Sequence, residues 1–224
     1  VILTLVAAVV AFIVLPLGIY YASYLPYFQV PGHQGGWAEV WDWQQKMYAY
    51  HRDLNVSHDF ASSWWQWPLL AKPVWYFTAR DTMPSGLTAT VAAFGNPAIW
   101  WMVFPALAAG AWRAWRQRDA VLAFLVVILL SQYLPWIVAP RKVTFIYHFF
   151  PMVPVAVLLI ARLMQDFQRE RLAEGLDLRP LRRVYAGYLG LATLLFLLFY
   201  PVLSGVTAPV WYVNALRWLP GWFF

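Results

Sequence analysis

The chain has no cysteine. That excludes a disulfide framework, a cysteine-ligated zinc site and a thiol nucleophile, and it leaves the redox compartment open. Charge is also scarce: Asp, Glu, Lys and Arg make up only 12% of the 224 residues. There is no Gly-rich phosphate loop, no Gly-x-Ser-x-Gly elbow and no internal repeat. The four histidines, His33, His51, His58 and His148, lack metal-ligand spacing. His51 and His58 are seven residues apart with no third ligating partner nearby, so no metal and no cofactor is expected. No nucleic-acid partner is expected either.

Apolar sequence fills the space that charge leaves, with 62% of residues hydrophobic and 19% aromatic. A bilayer core of about 30 Å needs about 20 apolar residues from a helix rising about 1.5 Å per residue. The sequence supplies several such runs, which predicts an all-α integral membrane protein. Five spans are expected, at 1–22, 97–112, 120–138, 146–164 and 185–205. Pro16, Pro105, Pro135, Pro151, Pro154 and Pro201 lie in or beside them and read as packing kinks. Residues 1–22 carry no basic n-region and no clear cleavage site, so they read as a true span rather than a signal peptide. The chain starts inside that run, at Val1, and is expected to be the C-terminal part of a longer protein or one product of a split one.

The arginines set the expected orientation. Arg113, Arg116 and Arg118 share one short loop, and Arg162, Arg169, Arg171, Arg179, Arg182 and Arg183 sit in or beside another. These nine of the sixteen basic residues place both loops in the cytoplasm by the positive-inside rule. The fragment's N-terminus is then cytoplasmic and its C-terminus external, at the plasma membrane. The long segment 23–96 and the short link 139–145 are external. All four histidines fall on that external side or at its boundary, so any chemistry is expected there.

Three parts organise the chain: the span 1–22, the external segment 23–96, and a four-helix region 97–224. Within the external segment, PGHQGG at 31–36 is a flexible turn. WAEVWDWQQKMYAYHRDL at 37–54 has helical spacing, with Trp37, Val40, Trp41, Gln44, Met47, Tyr48, His51 and Leu54 on one face. It reads as an amphipathic helix lying at headgroup depth, with membrane lipids as its partners.

HDFASSWWQWPLLAKPVWYF, 58–77, is a dense aromatic stretch set with a few polar groups. Tryptophan suits both the membrane interface and the C–H faces of sugars, and Trp64, Trp65 and Trp67 fit either role. PRKVTFIYHFF, 140–150, puts Arg141 and Lys142 outside, against the arginine trend. They read either as headgroup anchors or as an anion site, with an Arg fork suited to phosphate oxygens, a Lys point charge, and His148 seven residues on.

Four stretches together resemble one family. They are His58 with SSWWQWPLL at 62–70, KPVWYF at 72–77, GNPAIWW at 95–101, and PRKVTFIYHFFPMVP at 140–154. Their residues and order resemble the C-terminal membrane region of protein O-mannosyltransferases, multi-span enzymes of the GT-C glycosyltransferase class. The resemblance covers essentially the whole chain, best from 48 to 156. It implies the C-terminal part of a GT-C fold and a polyprenyl-phosphate-mannose donor. It further implies transfer with inversion to Ser or Thr hydroxyls of secreted polypeptides. The proton-accepting carboxylate of that reaction lies, in the family, in the N-terminal half, so no catalytic acid is expected in this chain. Arg141, Lys142, His148, Tyr147, His58, Trp64 and Trp65 are then the expected donor- and substrate-binding residues. No inserted carbohydrate-binding domain fits between 23 and 96, which points to a bacterial-type member. Alternatives are a related GT-C enzyme moving another sugar, such as aminoarabinose to lipid A, and a non-catalytic membrane subunit. A transporter is disfavoured because the spans lack buried charge.

Overall fold

A computed structural model describes all residues, Val1–Phe224. The chain divides into two compact units, 1–55 with 140–142, and 56–139 with 143–224.

The smaller unit begins with an apolar helical run, Ile2–Phe28, whose mean hydropathy of 2.8 is the highest of the four long apolar runs. It comprises α1 (Ile2–Val9), a π-turn at Val10–Val14, α2 (Leu15–Ala22) and α3 (Leu25–Phe28). The π-turn sits just before Pro16, where the missing N–H and the bulk of the ring disrupt the regular ladder. None of the residues of α1, the π-turn or α2 is buried within the chain. A turn through two left-handed glycines, Gly35 and Gly36, leads into α4 (Trp37–Asp53). Glu39 fixes that entry: its carboxylate accepts the Gly35 N–H (2.6 Å) and bonds His33 Nδ1 (2.5 Å). Val40 is buried, while Trp37, Trp41, Tyr48 and Tyr50 stay exposed. Those rings on a helix are the surface that the interfacial reading requires.

The larger unit is helical with two small sheets. Its helices are α5 (Pro97–Trp100), α6 (Val103–Gln117), α7 (Ala120–Tyr133), α8 (Pro135–Val138), α9 (Val153–Ala173), α10 (Arg179–Ser204) and α11 (Val210–Ala215). Helices α6, α7 and α9 pack together. Gly110 lets α6 approach α9, since a Cβ there would lie 2.8 Å from Leu159. Leu122, Leu129, Phe149, Met152, Ala156 and Leu159 fill the core.

Across both units, four helical runs are long and apolar enough to cross a membrane: Ile2–Phe28, Ala120–Val138, Ile146–Ala173 and Arg179–Ser204. The remaining expected span, 97–112, is built differently. A short turn, Pro97–Trp100, is followed by a 15-residue helix that continues to Gln117 and carries Arg113 and Arg116. Ala120–Val138 keeps its expected bounds, and the other three runs are longer than expected because the helix continues past the apolar window.

The chain is mostly helical, as expected, and adds two small two-stranded sheets. β1 (Val74–Thr78) pairs antiparallel with β3 (Thr90–Ala93), and β2 (Leu87–Thr88) pairs with β4 (Ala208–Pro209). The second pairing joins positions more than a hundred residues apart, and two-residue strands have no periodicity to read.

In the larger unit the ion pairs join α6, α7 and α9. Arg113, 5% exposed, bonds Glu170 and lies over the Phe167 ring (4.6 Å). Arg162 donates to Asp119 (2.6 Å) and to Asp166 (2.9 and 3.0 Å). Asp119 also caps α7 by accepting the N–H groups of Val121 and Leu122. The Leu122 N–H chiefly, and then the Arg162 charge, hold its carboxyl below the usual carboxylate range. Two further contacts join distant segments: 87–88 pairs with 208–209, and 62 bonds 144.

Candidate functional site

The stretch 58–70 is irregular backbone, and its polar groups need partners. Aromatic side chains supply them. Trp67 Nε1 donates to Ser62 O (3.1 Å), Tyr133 OH to Trp64 O (3.0 Å), Trp101 Nε1 to Leu69 O (3.1 Å) and Trp222 Nε1 to Leu70 O (2.5 Å). Leu70 is fully buried with φ +56° and so depends on these contacts for its strained turn. Tryptophan density here thus has a local cause: an indole covers apolar surface and still offers one N–H.

The link after Arg141 docks on the same stretch. Ser62 N donates to Thr144 O (2.8 Å), and Thr144 Oγ1 donates to Ser62 O (2.7 Å). This brings two of the distant sequence stretches into one aromatic cluster. The His148 ring stacks on Trp67 (5.6 Å, 20°) and Tyr147 (4.7 Å, 28°) and meets Trp136 edge-on (4.3 Å). Its Nδ1 lies 3.1 Å from Phe145 N and 2.9 Å from Phe145 O, so that nitrogen serves the turn at the start of the Ile146–Met152 helix. His58 is exposed, packs edge-on to Phe145 (4.9 Å), and accepts the Phe60 N–H at Nδ1 (3.1 Å).

The tryptophans have separate positions. Trp67 is fully buried, Trp64 is half-buried against Tyr133 (5.7 Å), and Trp65 is 50% exposed. Phe145 joins His58, Tyr147 and His148; His148 stacks over the buried Trp67, and Trp64 packs on Tyr133, whereas Trp65 makes no ring contact with this cluster. Tyr133, Trp136 and Phe145 complete that cluster and were not singled out from sequence. Trp136 and Tyr133 read there as span residues, and only the fold brings them under the loop.

Arg141 and Lys142 belong to the smaller unit. Arg141 is half-buried and Lys142 exposed, and neither is ion-paired. Hydrogen bonding by Arg52 holds the Asp53 carboxyl below its usual range, and the Lys142 charge adds weakly. Three or more His, Asp or Glu are nowhere gathered as a metal-binding group.

The Gly95-Asn96-Pro97 motif has a structural explanation. A Cβ on Gly95 would lie 2.0 Å from the buried Trp100 indole. Asn96 caps α5 by accepting the Ala98 N–H (3.0 Å), and its amide donates to Ala192 O (2.7 Å), tying α5 to α10.

An apolar helical chain with an aromatic surface of this kind defines an integral membrane protein, and its relatives define which. Residues 36–222 match the model of the C-terminal four TMM region of protein-O-mannosyltransferase, and the chain belongs to that family. A polyprenol-phosphate-mannose–protein mannosyltransferase of Mycobacterium tuberculosis is 28% identical over 93% of this chain and 45% of its own length. Its counterpart in Mycolicibacterium smegmatis is 26% identical over 96% of this chain and 47% of its own. That of Corynebacterium glutamicum is 24% identical over 77% and 35%. The chain thus spans about half the length, or less, of these curated relatives. Among solved structures, the Saccharomyces cerevisiae protein O-mannosyltransferase Pmt1-Pmt2 complex bound to the sugar donor shares the fold. Its TM-score is 0.60 at 18% identity, over 83% of this chain and 26% of that one.

Proposed function

We propose that this chain is the C-terminal membrane region of a transferase that moves mannose from a polyprenyl-phosphate carrier to Ser or Thr hydroxyls of secreted polypeptides, with inversion. The observation that carries the proposal is the family match over residues 36–222. The names of the mycobacterial and corynebacterial relatives supply the donor and the acceptor class. The matched region contains three of the four long apolar helices, which leaves Pro97–Gln117 as the fourth membrane segment of that family description. The active face is the external one at the plasma membrane, where the aromatic surface belongs under the arginine rule.

The roles follow chemistry. Arg141 and Lys142 hold the donor phosphate; neither makes a direct ion pair, and the Lys142 charge acts on the Asp53 carboxyl without bonding it. Trp64, Trp65, Tyr147, His58 and His148 offer aromatic rings against which sugar or lipid stacks. The carboxylate that removes the hydroxyl proton comes from the other part of the protein, so no acid of this chain takes that step.

The test uses the complete protein in lipid nanodiscs, with mannosyl-phospho-polyprenol and a Ser/Thr peptide. Mannosylated peptide with the opposite anomeric configuration to the donor, read by NMR, is expected. A complete protein that binds donor and peptide but forms no product refutes the proposal.

A further inference from the structure

The strand β1 is the outer member of its sheet. Its partner β3 packs on α10 and is largely buried, with Thr90 at 1% and Ala92 at 5% exposure. On β1, Tyr76 and Phe77 are 59% and 52% exposed, and Thr78 is exposed as well. The sheet has two strands, so no strand of this chain pairs with the outer edge of β1.

The register fixes which groups face outward. Ala79 N–H donates to Ala89 O (2.8 Å), and Phe77 O accepts the Thr90 hydroxyl (2.9 Å). Phe77 and Ala79 therefore turn their backbone groups toward β3. Backbone direction alternates along an antiparallel pair, so Thr78, opposite Thr90, turns its N–H and C=O away. Neither group finds a partner in the chain, and Thr78 is engaged only through its hydroxyl, which accepts the Arg80 N–H (3.3 Å).

A strand edge with a free N–H and C=O is a template for another extended backbone. The register shift between Trp75 and Phe77 interrupts the strand and confines pairing to the short stretch beyond it. An edge this short gives weak, reversible binding, which suits a substrate that must leave. The strand is also continuous with the aromatic cluster. Trp75 meets Phe60 edge-on (6.4 Å), and Phe60 lies 5.9 Å from His58. Burial chiefly, and then the nearby Tyr147 hydroxyl, raise the Tyr76 pKa. A chain laid along β1 thus lies close to residues of the candidate site.

We propose that the outer edge of β1 takes the polypeptide acceptor as an added strand, held through its main chain. The docking of an extended backbone stands on the free edge, and the acceptor as its occupant rests on the transferase reading above.

The test measures equilibrium binding by fluorescence anisotropy on the complete protein in nanodiscs, without donor. The probes are a labelled Ser/Thr peptide and a series of the same peptide N-methylated at one residue at a time. In an added strand only every second N–H faces β1. N-methylation should therefore weaken binding at alternate residues by roughly two- to tenfold, the size of one backbone hydrogen bond, and spare those between. Thr78→Pro removes the outward N–H from an edge position, where proline is tolerated, and should weaken the parent peptide by a similar factor. Thr78→Ala, which keeps the N–H, should weaken it less. Unchanged elution and melting confirm that the variants fold, and the N-methyl series on wild type needs no variant at all. Methylation that acts without the two-residue period, or a folded Thr78→Pro that binds like wild type, overturns the strand site. A dimeric wild type that Thr78→Pro makes monomeric, with peptide binding unchanged, assigns the edge to a second copy and overturns the acceptor. The two readings separate cleanly. The alternating pattern without mannosyl transfer keeps the strand site and refutes only the transferase reading, whereas transfer without the pattern refutes only the strand site.

Discussion

Trp222→Phe should destabilise the protein more than Trp67→Phe, although both indoles are essentially fully buried. Each change removes the same pyrrole atoms and leaves a phenyl ring to keep the stacking. The difference lies in the carbonyls left behind. Ser62 O accepts from Trp67 Nε1 and also from Thr144 Oγ1, so it keeps a donor when Trp67 changes. Leu70 O has only Trp222, and Leu70 is wholly buried. Losing one of two donors costs about 0.5–1.5 kcal/mol, whereas stranding a buried carbonyl costs about 1–3 kcal/mol. The expected gap is on the order of 1 kcal/mol, or roughly 2–4 °C in melting temperature for a domain of about 150–250 residues. The assay is thermal unfolding of the complete protein in detergent, followed by near-UV circular dichroism at one scan rate. A Trp67→Phe variant that melts at or below Trp222→Phe refutes the reasoning, because ring packing rather than carbonyl satisfaction would then dominate.

Three further outcomes follow from the geometry. Gly95→Ala drives a methyl into the Trp100 indole and should cost about 1–3 kcal/mol, partly recovered by Trp100→Phe in a double-mutant cycle of melting temperatures. Asp119 has a lowered carboxyl pKa, so its contribution is present above the ordinary value of about 3.9 and is lost as pH falls through the lower folded value. Asp119→Asn should flatten that acid limb of the stability–pH curve while keeping the α7 cap. Arg141→Ala should weaken use of the mannosyl-phospholipid by about one to two orders of magnitude, and Arg141→Lys should recover part of it. Unchanged donor kinetics would leave Arg141 as a headgroup anchor.

Residues 58–77 and 140–154 show how far sequence reaches. Hydropathy determined the apolar helices, because lipid forces every backbone group in a span to bond within it, and that is a local rule. The arginine distribution sorted the loops into two sets. The motifs marked the family, and the match to residues 36–222 agrees. What tertiary structure alone decided is what each aromatic residue does. Nothing local distinguishes Trp64, Trp65 and Trp67. Their burial depends on Tyr133 and Trp136, about seventy residues on, and on the link at 144–148. Helical periodicity is written residue by residue, whereas a site assembled from irregular loops exists only once packing has fixed which distant carbonyl each indole must satisfy.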